Sequence, residues 1–90
     1  MNSRPTNISD QAQLLKGIGA SSWFEIVLEN KKYRINRYSL DGELECSRIF
    51  TSIPEGFEIN SEYQFTYISH CKECTILQNN KTYKFYTNEY

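Results

Sequence analysis

The hexapeptide Ser69-His70-Cys71-Lys72-Glu73-Cys74 gathers the only histidine and two of the three cysteines of a 90-residue chain. Metal binding or thiol redox chemistry has to start here, because imidazole and thiolate are ligands that zinc prefers and the thiolate is the reactive form of cysteine. A closed zinc shell takes four such ligands, so the metal reading needs Cys46 to join His70, Cys71 and Cys74 from a distant part of the chain. In a tight turn Cys71 and Cys74 take the first and last positions, close enough to share a metal or a strained disulfide. A reactive CxxC ordinarily opens a helix that lowers its thiol pKa, whereas Thr75-Ile76-Leu77 reads as strand. The plainer reading makes Cys46 and Cys74 small core fillers and His70 a solvated turn residue.

Other chemistry is thinner. Gly17-Ile18-Gly19-Ala20 has the look of a phosphate loop, but such loops follow a strand and open a helix, while this one precedes a strand and has Ser22 where a third glycine belongs. Lys31, Lys32, Arg34 and Arg37, interleaved with Tyr33 and Tyr38, resemble the mixture by which small barrels hold single-stranded nucleic acid. Glu43 and Glu45 on the adjoining strand would neutralise much of that patch, so nucleic acid is a poor fit. No carboxylate pair or Ser–His arrangement can be assembled from spacing, and we expect no enzyme.

A hydrophobic content of 39% in so short a chain fits one small domain. One tryptophan, seven tyrosines and five phenylalanines supply its packing. Ten Lys plus Arg against eleven Asp plus Glu argue against general attraction to nucleic acid or anionic lipid. Residues 1–10 lack the basic flank and apolar run of a secretory signal, and no stretch approaches membrane-spanning length. The expectation is a cytoplasmic protein with reduced thiols.

Residues 1–8, polar and containing Pro5, read as a flexible tail before a single domain over 9–90. Ser9 or Asp10 is placed to cap a short helix carrying Leu14 and Leu15, ended by Gly17. From Ser22 onward, alternating aromatic and β-branched residues separated by turn signals predict about six strands. Turns fall at Glu29-Asn30-Lys31, Asp41-Gly42, Pro54-Glu55-Gly56 and Asn79-Asn80. If Gly42 closes a type I turn in the left-handed region, Tyr38 lies opposite Leu44 and Arg37 opposite Glu45. Such strands form an all-β antiparallel meander, closed into a small barrel or strongly curled, with the helix packed on it. Exposed edges at the C-terminal strand leave room for a homodimer.

The stretches 17–24, 38–46 and 69–75, reading GIGASSWF, YSLDGELEC and SHCKECT, resemble a set of short uncharacterised bacterial proteins over about Gly17 to Phe85. The resemblance implies a free-standing bacterial domain and brings no activity, ligand or catalytic residue with it. Taken together, the expected function is a noncatalytic binding or interaction module without a cofactor. Its partner is a protein or small ligand met by exposed rings at Trp23 or Tyr38, with Lys32 and Arg34 as the basic contacts in a nucleic-acid reading. The rival is a zinc module built on Cys46, His70, Cys71 and Cys74.

Overall fold

The structure, a computed structural model, describes residues 4–17, 20–51, 53–69 and 71–87. Among the described residues, seven strands form two antiparallel sheets. The first holds β1 (Gln13–Gly17), β2 (Ala20–Glu29), β3 (Lys32–Tyr38) and β4 (Leu44–Ile49) in that order. The second holds β5 (Gln64–Ser69), β6 (Glu73–Gln78) and β7 (Lys81–Tyr86). Short turns make each sheet a meander. Asn30 and Lys31, at φ 52° and 67°, and Asn79 and Asn80, at 52° and 66°, form two-residue links whose left-handed backbone matches strand twist.

The expected N-terminal helix is absent. Ser9 does act as a cap, its hydroxyl accepting from Gln11 N–H and its carbonyl from Ala12 N–H, but only one turn follows before β1 begins. The reason lies in two neighbouring leucines. Leu15 packs on the main core and Leu14 on a second cluster across the sheet, and only a strand sends adjacent side chains to opposite faces. Five residues are also too few to nucleate a helix, whereas pairing with β2 supplies a ladder from Gln13↔Phe24 to Gly17↔Ala20.

Nor is there a closed barrel. Residues 50–63 connect the sheets and let them stack face to face rather than continue as one ribbon. Along one seam the pairing amounts to a single bridge, Phe50↔Thr87, with Thr51 N–H donating to Tyr86 O at 2.8 Å. Along the other, between β1 and β5, there is no strand pairing among the described residues. The β3–β4 hairpin has its expected turn, with Gly42 at φ 91° and Tyr38 opposite Leu44. A bulge then absorbs Glu45, so Arg37 pairs with Cys46 instead, though its Nε still lies 3.4 Å from Glu45 Oε1.

Between the sheets lies a core rich in rings. Phe85 is fully buried, with ring centroids 4.8 Å from Phe50, 5.0 Å from Phe57 and 6.4 Å from Tyr33. Phe57 comes from the long connection, which Gln78 pins by accepting from Glu58 N–H and donating to Glu58 O. The outer face of the four-stranded sheet has a smaller core of its own, in which Ile8 and Ala12 cover Trp23 and Tyr38. Residues 4–8, expected as loose tail, are held there. Arg4 lies 4.9 Å over the Trp23 ring, and Asn7 donates to Gly42 O so closely that a Cβ on Gly42 would meet Pro5 Cβ at 2.7 Å.

Candidate functional site

The structure brings the three cysteines into one neighbourhood. Cys46 points inward from β4, while Cys71 and Cys74 are buried under the second sheet and all three are free thiols. The turn differs from the expected one: Lys72 N–H closes on Ser69 O at 2.7 Å, placing Cys71 third in the turn with φ 57°, and Cys74 already in β6 opposite Ile68. Thr87 holds this tip through its hydroxyl to Cys71 O at 2.9 Å. The Cys71 thiol lies beside that of Cys46, which adds to burial in keeping it protonated. His70 lies outside the described residues, and among those described no group of three His, Cys, Asp or Glu is arranged to hold a metal ion.

Trp23 and Tyr38 are not the exposed rings expected of a partner surface. They lie under the N-terminal segment, 6% and 9% exposed, because residues 4–12 fold back over β2 and β3. Their neighbour Glu25 is buried too. Its carboxylate accepts from Ser9 N–H, Asn36 Nδ2 and the Tyr38 hydroxyl, so a charge in an apolar layer is matched by three donors. Lys32 is exposed, while Arg34 donates to Ser47 and pairs at 3.9 Å with Glu29. The basic patch is thus neutralised in part by Glu29 as well as by Glu45 on Arg37.

One opening lies away from every site expected from the sequence. A cleft of about 900 Å³ lies at the unpaired seam, between the N-terminal segment, the start of β5 and the tip of the β6–β7 hairpin. Amides recur in its wall, where Gln11, Gln13, Gln64, Gln78, Asn79 and Asn80 stand beside the charged Arg4, Asp10 and Glu62. Gln13 crosses the seam, donating through Nε2 to Tyr63 O at 2.8 Å and accepting at Oε1 from Phe65 N–H at 2.9 Å. A carbonyl of one residue and the N–H two positions on are the pair that a residue of a parallel neighbouring strand would engage. The Gln13 side chain therefore stands in for a strand. Its sequence signal was slight: a polar residue opening a short apolar stretch, easily assigned to a helix surface.

Burial also sets the titration of several groups. It raises the Tyr38 phenol from 10.0 to about 12, helped by its hydrogen bond to Glu25, and raises Tyr63 to about 12. Cys74 moves from 9.0 to about 12, and Cys71 moves in the same direction through burial and its contact with Cys46. In each case the fold favours the protonated form, so the folded pKa lies above the unfolded one. Stability from these groups is complete below pH 9 and is lost as pH rises from 9 to 12, where the unfolded chain sheds its protons first. The urea midpoint should accordingly fall continuously across that interval; a midpoint constant to pH 12 would contradict the burial of these groups.

The molecule is a small all-β domain of two stacked antiparallel sheets with an amide-lined cleft at one seam. The chain belongs to the family described as the DUF6695 C-terminal domain, whose model matches residues 12–88. That span takes in the whole region over which the resemblance to uncharacterised proteins ran, and the match assigns no activity. No curated protein and no solved structure matches the chain. Among the described residues no helix is long and apolar enough to cross a membrane.

Proposed function

We propose that the domain is a noncatalytic interaction module that takes an extended segment of a partner protein into the cleft beside Gln13. The observation that carries this reading is the Gln13 amide on Tyr63 O and Phe65 N–H, since a backbone edge already bonded by a peptide surrogate is shaped for a peptide. The cleft volume supports it, lying within the usual range for ligand sites of roughly 300–1,000 Å³. So do the six amides of its lining, which donate and accept at once, as peptide groups require. No cofactor enters this reading. A bacterial, cytoplasmic setting belongs to the same proposal, with three free thiols suiting a reducing compartment.

Selection of random dodecapeptides displayed on phage against the full chain tests the idea. Selected peptides should shift the Phe65 backbone and Gln13 side-chain amide resonances. Gln13→Ala, which removes the internal competitor, should bind them about tenfold more tightly, the equivalent of roughly two net hydrogen bonds. Peptides that perturb only the opposite seam, or the absence of binders to both proteins, would refute the assignment. Self-association of the chain through the same resonances would make a second copy the partner.

A further inference from the structure

The thiol cluster lies at the seam opposite the cleft and plays no part in the interaction reading. Cys46 belongs to the four-stranded sheet and packs against the core cluster that contains Cys71, at the tip of the other sheet 25 residues later in sequence, so the two thiols act on one another across the layers. The two differ in access. Cys46 is partly exposed, whereas Cys71 is 0% exposed and held from behind by the Thr87 hydroxyl on its carbonyl. Two guanidinium groups stand beside them. Arg37 pairs directly with Cys46 across the β3–β4 ladder, and Arg48 is two residues along β4 on the same inward face. Arg48 Nε is buried without a hydrogen-bond partner, Arg37 Nε lies 3.4 Å from Glu45 Oε1, and both charges act on the Cys71 sulfur. A donor left unsatisfied beside a thiol pair is placed to receive negative charge on sulfur or on an oxygen attached to it.

We propose that Cys46 and Cys71 form a peroxide-oxidisable dithiol, with Cys46 the attacking sulfur and Cys71 the resolving one, whose disulfide staples the two sheets together. The thiolate of Cys46 attacks hydrogen peroxide, the O–O bond breaks, and a sulfenic acid forms as hydroxide departs. The Cys71 sulfur then attacks the sulfenic sulfur, its proton leaves with the displaced hydroxide as water, and the S–S bond closes. Two thiols lose two electrons and two protons, and one peroxide becomes two waters. The unpartnered Arg48 Nε–H holds the anionic thiolate and sulfenate on the way, with the Arg37 charge beside it. Cys74, buried in β6, is a spectator that packs the core.

The full chain treated with equimolar hydrogen peroxide, then mapped by non-reducing peptide mass spectrometry, tests this directly. The intact mass should fall by about 2 Da with one internal Cys46–Cys71 link, reversed by dithiothreitol. The melting temperature should rise by roughly 10 °C, since the closed loop is intermediate in length. Cys74→Ser should give the same link, while Cys46→Ser should leave Cys71 unmodified because it is enclosed. The wild-type map alone decides the matter if either variant fails to fold. A Cys71–Cys74 link, a linked pair of chains, a Cys46 sulfinate without a disulfide, or no reaction would each overturn the proposal.

Discussion

Replacing Phe85 by alanine should remove about 3–5 kcal/mol of folding stability, the largest loss available to a single side chain here. The ring touches both sheets and the connection between them. Phe50 at the end of β4, Tyr33 on β3 and Phe57 from residues 50–63 all pack on it from within 6.4 Å, and none can follow it inward once it is gone. Small domains have only about 5–15 kcal/mol in total, so much of the molecule should be unfolded in mild denaturant. Phe85→Leu, which keeps most of the volume, should lose roughly 1–2 kcal/mol. Equilibrium urea denaturation followed by tyrosine fluorescence measures both. A loss under about 1.5 kcal/mol for the alanine variant would mean that the two sheets do not depend on this ring for their packing.

The second large effect belongs to Glu25. Changing it to alanine strands the Ser9 N–H, the Asn36 amide and the Tyr38 hydroxyl in a site that water reaches poorly. Unsatisfied buried donors cost about 1–3 kcal/mol each, and because the three share one partner their losses do not simply add; about 3 kcal/mol is expected in all. Two local readouts distinguish this from general destabilisation. The Ser9 amide should exchange with solvent far faster as residues 4–12 lift from β2 and β3. Tyr38, whose phenol loses an acceptor and a nearby negative charge, should titrate below its value of about 12 when followed by ultraviolet absorbance. If Ser9 exchange is unchanged, the carboxylate does not hold the segment.

These residues also show what a sequence exposes. The hairpin signals were legible because they are local: Asn79-Asn80 and Asp41-Gly42 state their backbone geometry within four residues. The alternation of Tyr63, Phe65 and Tyr67 suggests one buried face, but a bulge between Phe65 and Tyr67 leaves Tyr67 exposed. Even the meeting of Cys46 with Cys71 could be framed, since it needed only a curled sheet. Leu14 and Leu15 misled because a helix with one apolar side and a strand with two can share five residues, and the partner that decides between them is β2. The bulge at Glu45 shifted one register position for which tenths of a kcal/mol in charge pairing gave no guide. Gln13, Gln78 and Glu25 were illegible for another reason. Each acts on groups far along the chain, Gln13 on residues 50 and 52 positions away, and nothing in the local pattern marks a polar side chain as a substitute for backbone.

Among the described residues, every ladder between strands joins neighbours in the chain, the single Phe50↔Thr87 bridge apart. Each can zip from its own turn, so little chain entropy is spent before the first contacts reward it. What remains is the docking of two preassembled meanders, tethered by residues 50–63, and this collapse carries nearly all the nonlocal cost. An all-β chain wired in this way has low contact order for its class and belongs among the faster folders of that class.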